Sequence, residues 1–169
     1  MRARSWFAIL VVIIVAAFTI AVQAEAETWK GRTSVHMIKV ESIQVGDVPG
    51  HVLFLGENGG LVFWENGQVA TASSKFTGEY TKGSGTWQSY VLWTFEDEST
   101  IVSKWLGSTT ADPGGKVSWF KGTYSTLQGT GRFAGIEGNG SFTGKRVAPL
   151  SMGADSYYDF TMIFTLPPR

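Results

Sequence analysis

The sequence predicts an all-β protein, a closed antiparallel barrel of about eight strands preceded by a cleavable signal helix. Three observations favour this fold. Beyond residue 24, apolar and polar residues alternate in segments separated by turn residues, with no helical period. Seven glycines fall within residues 121–145, where glycine inside strands marks bends or close backbone approaches. Closure would also remove the unpaired edges that make an open sheet prone to aggregation.

The N-terminal segment has the layout of an export signal. A basic start and an apolar run over 6–20 precede small-residue cleavage patterns that end at Ala24 and Ala26. The run is shorter than the ~20 residues that a bilayer-spanning helix needs. We therefore expect a signal peptide at 1–24, cleaved after Ala24 or Ala26, and a single β-barrel domain at 25–169.

Composition limits the classes of partner. Cleavage after Ala24 would remove Arg2 and Arg4, leaving twelve basic residues against 14 acidic ones, a formal charge of −2 without basic runs. Such a balance argues against nucleic acid as a partner, and no later segment is apolar enough to span a membrane.

The cysteine count limits the chemistry. The chain has no cysteine, so it has no disulfide, thiolate nucleophile or thiolate metal site. Its stability must come from a hydrophobic core, which 20 aromatic residues beyond position 24 can supply. An exported chain without cysteine fits a bacterial periplasm or the bacterial medium.

Four strands are predicted before residue 82, each bounded by turn residues. Glycine-containing turns at 46–50 and 57–60 end the first and second strands. Asn66 and Gly67 join the third strand to the fourth, because both tolerate the positive φ that a two-residue hairpin requires. The strands defined in this way are 28–45, 51–56, 61–65 and 68–81.

The second half of the chain alternates more regularly. From residue 136, polar residues occupy one face and small residues with one phenylalanine the other, which suits the interior of a narrow barrel. That inward face comprises Ile136, Gly138, Gly140, Phe142 and Gly144. The last strand ends before Pro167 and Pro168, which cannot donate to a ladder. The strands predicted here are 86–95, 100–109, 117–127, 136–145 and 156–166.

The glycine corner resembles a known family. Residues 129–135 (Gly-Thr-Gly-Arg-Phe-Ala-Gly), followed by Gly138, are similar to the GTG-x-F-x-G-x-x-G corner of the allene oxide cyclase and dirigent barrels. The wider chain, including 45–51, 90–97 and 111–116, looks like exported bacterial proteins that carry this barrel-like domain without an assigned activity.

The resemblance implies a calycin-like closed barrel. It is compatible with assembly into a homotrimer or a homodimer. It transfers no catalytic carboxylate, because none can be matched residue by residue. It implies a structural role for the corner glycines Gly129, Gly131, Gly135, Gly138 and Gly140.

Aromatic residues are the main candidates for a ligand site, since such pockets are mostly apolar with a few polar groups. A small apolar or aromatic ligand in the barrel would lie against them, although core packing explains most of the same residues without a ligand. The candidates are Trp64, Trp87, Tyr90, Trp93, Trp105 and Trp119.

His36 and His51 are the remaining candidates, because imidazole titrates near neutrality. A hairpin between them would bring together an acid–base pair with Glu41 and Asp47. Their separation of 15 residues matches no metal-ligand motif, and two unrelated strand histidines are the simpler interpretation. We predict neither a metal nor a cofactor.

Three functions stay open at this point. The first is a barrel that binds a small apolar or aromatic ligand in its mouth. The second is a cofactor-independent cyclase or isomerase resembling allene oxide cyclase, which would shape a reactive lipid-like or phenolic substrate by positioning alone. The third is a structural module with a filled interior. The sequence contains no nucleophile elbow, phosphate loop or metal-ligand cluster that would decide between them.

Overall fold

The structure, a computed structural model, describes residues 25–114, 117–148 and 152–168. Over these residues eight antiparallel strands close into a barrel, each pairing with its neighbours in sequence and the last with the first. The predicted fold class is therefore confirmed, while the predicted signal at 1–24 lies outside the described residues. The strands are β1 (Glu27–Gln44), β2 (His51–Trp64), β3 (Val69–Thr81), β4 (Ser84–Phe95), β5 (Thr100–Ala111), β6 (Ser118–Gly129), β7 (Glu137–Arg146) and β8 (Ser156–Thr165).

Large rings fill the middle of the barrel. Trp93 is completely buried, stacks on Phe160 with ring centroids 5.3 Å apart, and meets the edge of Trp64 at 5.2 Å. Trp105 stacks on Tyr124 at 4.5 Å. Each such ring buries a large apolar area, so these contacts provide the stability that a cysteine-free barrel needs.

One end of the barrel, the closed end, is sealed by the glycine corner. After β6 the chain makes a short 3₁₀ helix, Gly131–Phe133, and the Phe133 ring enters the barrel 4.7 Å from the Phe95 ring centroid. The Arg132 guanidinium covers both phenylalanine rings at 4.8 Å and is hydrogen-bonded to Gln68. Among the described residues no helix has the length and apolar character required to cross a membrane.

The corner glycines serve two backbone requirements. Gly131 and Gly135 have φ values of +59° and +76°, a region that favours glycine. At Gly129, Gly138 and Gly140 a Cβ atom would overlap the backbone of a neighbouring segment. The five residues therefore occupy positions where a larger side chain would strain or displace the corner.

The expected turn at 57–60 is wrong, because β2 runs without interruption through it. Glu57 pairs with Lys75 of β3 across the ladder, and their side chains form an ion pair of 2.9 Å. Gly59 and Gly60 are not among the positive-φ glycines. A Cβ atom on Gly60 would overlap the Ser34 carbonyl oxygen, so the glycine permits close approach of β1 rather than a reversal of the chain.

Substitutions at two adjacent glycines of β2 test whether Gly60 is required for the close approach of β1. Gly60→Ala should lower the free energy of unfolding by about 1–3 kcal/mol, because the backbone of β1 must move. Gly59→Ala is the matched control: its Cβ would meet only the exposed Ile38 side chain, so the change should stay within about 0.5 kcal/mol. Urea unfolding measures both. Equal effects of the two substitutions would contradict the assignment of Gly60 as a close-approach position.

Candidate functional site

The opposite end, the open end, contains a cavity of about 380 Å³, here called the mouth cavity. It lies inside the barrel, between the ends of all eight strands in the described part of the chain. Its walls are mainly apolar and include Val52, Phe54, Phe76, Trp87 and Phe120. The volume is at the lower end of the range for small-molecule sites, and the mixture of apolar walls with a few polar groups is typical of them.

Several polar groups lie among the residues that line the mouth cavity. Among the described residues that line it, Arg146 is the one charged side chain, and its Nε atom is shielded from solvent. The Tyr80 hydroxyl is hydrogen-bonded to Thr109 Oγ1 at 2.5 Å. Ser118 and Ser156 add further hydroxyl groups. The cavity therefore offers one positive charge beside several hydrogen-bonding hydroxyls.

Two phenols in this wall stay neutral. Burial raises the pKa of the Tyr80 hydroxyl, an effect partly offset by its hydrogen bond to Thr109 and by the Arg146 charge. Burial likewise raises the pKa of Tyr158, and the neighbouring Tyr80 adds to this effect. Near neutral pH both tyrosines can donate hydrogen bonds to a ligand, and neither acts as a base.

A smaller cavity of about 50 Å³, the inner chamber, lies deeper in the barrel. It shares Asn58, Phe76, Trp87 and Tyr158 with the lining of the mouth cavity, so the two spaces adjoin at these side chains. The remaining lining residues include Thr33, Ser89, Trp93 and Trp105. This volume suits one functional group or one to two water molecules.

Residues 152–155 border the mouth at its rim. The Met37 backbone N–H donates to the Gly153 carbonyl oxygen at 2.9 Å, and His36 Nδ1 lies 2.8 Å from Asp155 Oδ1. Ala154 is buried and adopts a φ of +49°. These contacts attach the segment before β8 to β1 and place Ala154 in the cavity wall.

His51 joins three elements of the same rim. Its Nδ1 atom is 2.6 Å from Asp47 in the β1–β2 turn, and its Nε2 atom is 2.7 Å from Glu79 of β3. The side chain is only 14% exposed. The hydrogen bonds to Asp47 and Glu79 raise the pKa of His51, so the imidazolium form is favoured in the folded state.

The structure divides the predicted aromatic candidates into an inner and an outer group. Trp87 lines both cavities, while Trp93 and Trp105 line the inner chamber. Trp64 is buried in the core beside Trp93.

Two other aromatic candidates lie on the outside of the barrel. Tyr90 and Trp119 are each 49% exposed, with Lys104 and Lys145 respectively 5.8 Å from their ring centroids. They line neither the mouth cavity nor the inner chamber.

The two histidines do not form a common site. His36 is hydrogen-bonded to Asp155, whereas His51 is hydrogen-bonded to Asp47 and Glu79. Neither lines the mouth cavity. Over the ranges that the structure describes, no group of histidine and acidic side chains could hold a metal ion.

The polar side chains that line the mouth cavity were not among the residues predicted from the sequence. Arg146 directly follows the inward series that ends in Phe142 and Gly144, and Tyr80 continues the inward parity of Phe76. Following the alternation of the predicted strand 68–81 from Phe76 to Tyr80, and extending that of the strand 136–145 by one step from Gly144, would have placed both side chains inside the barrel.

A second depression, of about 870 Å³, lies on the outer face across β3 to β6. Gly78, Gly107 and Gly122 form its floor, and short side chains and exposed Leu53 and Leu106 border it. It is a broad open groove rather than an enclosure, so the mouth cavity is the better candidate for a ligand site.

Comparison with known proteins gives no family assignment: no family model, curated protein or solved structure matches the chain.

The doubly paired histidine makes stability depend on pH. The folded-state pKa of His51 is raised, so protonated His51 contributes to the free energy of unfolding. This contribution is complete below about pH 6.5 and is lost as the pH rises through the folded-state pKa. The urea midpoint of the unsubstituted protein should therefore fall as the pH rises from about 6.5 through the folded-state pKa of His51. His51→Gln should make this decrease smaller.

The double variant Asp47→Asn/Glu79→Gln serves as the comparison, since it keeps the imidazole and removes both carboxylates. It should flatten the pH dependence in the same way. A slope that is unchanged in both variants would show that this cluster does not link protonation to folding.

Proposed function

We propose that this protein is an exported barrel that binds a small amphipathic ligand in the mouth cavity, with an apolar or aromatic body and one anionic end. The observation that carries the proposal is the combination of apolar walls with the Arg146 side chain. The ligand body would pack against the phenylalanines and Trp87, and its anionic group would face Arg146.

The preference for an anion follows from the charge of the lining. No aspartate or glutamate is present among the described lining residues, so the positive charge of Arg146 dominates the cavity. A guanidinium whose Nε atom is shielded from water favours a carboxylate or another planar anion, which accepts charge-assisted hydrogen bonds. Neutral Tyr80 and Tyr158 add hydroxyl groups to the same cavity lining.

The cyclase alternative receives less support. A proton-transfer step in such an enzyme needs a positioned base beside the reacting atoms. The phenols of the cavity have raised pKa values, and the described lining residues include no carboxylate and no histidine. The structural-module alternative applies to the closed end and middle, which aromatic side chains fill, but it does not explain the open cavity.

The proposed location rests on the sequence. A basic start, an apolar run and small-residue cleavage patterns support export to the periplasm or the medium. The similarity of residues 129–135 to the corner of the allene oxide cyclase and dirigent barrels supports the same choice of ligand class, since an enclosed apolar substrate is what that resemblance implies.

A charge variant tests the proposal. Arg146→Gln should weaken the binding of decanoate by about tenfold or more, because a charge-assisted hydrogen bond is lost, whereas 1-decanol should bind both proteins equally. Arg146→Lys should retain part of the affinity. Calorimetry and intrinsic tryptophan fluorescence measure binding, with Trp87 as the reporter in the cavity wall.

Arg32→Gln is the matched control, since Arg32 is exposed on the outer face and pairs with Asp159. It should leave decanoate affinity unchanged. If neither decanoate, decanol nor a panel of phenolic acids produces heat or a fluorescence change, the proposed ligand site is wrong.

A further inference from the structure

We propose that the inner chamber is a second binding position for the same ligand, in which the Trp93 indole N–H donates a hydrogen bond to an oxygen at the ligand's inner end. The inference rests on the proposed function and adds to it the chemistry of the ligand's far end. It predicts that the ligand is oxygenated at both ends, anionic at the mouth and carrying a neutral acceptor, such as a carbonyl, in the chamber.

The first observation is an unpartnered buried donor. Trp93 is 0% exposed, and its Nε1 atom has no acceptor in the described part of the chain. The neighbouring Trp105 differs, because its Nε1 atom donates to Ser103 Oγ at 2.9 Å. A buried N–H group without an acceptor is costly, and such groups normally find an acceptor in protein, water or ligand.

The second observation is the chamber itself, which Trp93 lines. Two of its hydroxyls already use their protons: Thr33 donates to the Leu61 carbonyl oxygen at 3.1 Å, and Ser89 donates to the Lys75 carbonyl oxygen at 3.2 Å. Both residues are about 5% exposed or less. These two hydroxyl oxygens can then only accept, whereas the Trp93 indole N–H is a donor with its proton uncommitted, suited to an acceptor on the ligand.

The third observation is position. The chamber shares Trp87 and Tyr158 with the mouth cavity, so it continues the proposed site toward the core. A volume of about 50 Å³ is large enough for a carbonyl group or for one to two waters. When a ligand lacks an inner oxygen, a water would take its place, accepting from Trp93 and donating to Ser89 or Thr33.

Pairs of ligands that differ in one carbonyl group test whether the acceptor for Trp93 comes from the ligand or from water. Octanoate, decanoate and dodecanoate are each compared with the (ω−1)-keto acid of the same length by calorimetry. In the unsubstituted protein at least one keto acid should bind about three- to tenfold more tightly than its parent, the size of one net hydrogen bond. Trp93→Phe should abolish this preference while the parent acid still binds.

Trp64→Phe is the matched control. Trp64 is also buried with an indole N–H that lacks an acceptor among the described residues, but it lines an outer groove instead of the chamber. It should keep the preference for the keto acid. Since the preference is a ratio within each protein, a general loss of stability in either variant does not imitate the result.

A measurement on the unsubstituted protein covers the case in which Trp93→Phe does not fold. The Trp93 indole N–H resonance should shift downfield with the keto acid relative to the parent acid, as a direct hydrogen bond replaces a water. If the parent acids bind but no keto acid is preferred and the resonance does not respond, the inference is wrong and the proposed function stands. If no acid of either kind binds, both are wrong.

Discussion

The barrel depends on large aromatic rings packing against strand positions that carry no Cβ atom. The Trp87 ring lies over Gly107, Phe142 over Gly122 and Phe160 over Gly31, so closely that a Cβ at any of these glycines would meet the ring. Rings and glycines alternate across neighbouring strands, as in Trp87 opposite Gly107. A narrow sheet can thus enclose several indole and phenyl groups at close-packed density without disulfides.

The same packing determines which part of the barrel interior stays open. Toward the closed end, Phe133 and the core tryptophans occupy the interior. Toward the open end, some inward positions carry shorter side chains such as Thr109, Ser118 and Ser156, and a cavity remains beside the rings. The mouth cavity is the part of the interior that the rings leave unfilled. Arg146 and the neutral tyrosines then give that space a chemical preference.

Most of the fold is predictable from the sequence because strand alternation and turn residues are local signals. The strands after residue 84 follow the expected bounds closely, and inward Trp87, Trp93 and Phe142 are where their parity places them. The prediction of a turn at 57–60 was wrong because asparagine and glycine are common in turns, while glycine within a strand also permits close approach of a neighbouring strand. Only the register with Val35 and Lys75 distinguishes these cases, and register depends on residues distant in sequence.

The site was less predictable, and for a related reason. Trp93 and Trp105 belong to both core and chamber, so composition alone could not separate a binding role from packing. Tyr90 and Trp119 resemble the other aromatic candidates in sequence but have the outward parity. Arg146 sits at the end of β7, where a charged residue is ordinarily assigned to a loop. Its inward position follows only once the strand is known to extend that far.

Closure of the barrel also has a kinetic aspect. Along the described chain the ladders join consecutive strands, apart from the seam between β1 and β8, where Arg32 and Asp159 meet across 127 residues. Hairpins can form locally, whereas the seam must overcome the loop entropy of nearly the whole domain, so it should close last. Met37 and Val40 lie on one side of that seam and Tyr158 on the other, and all three line the mouth cavity. A ligand held there would bridge the seam and keep the two ends of the domain together.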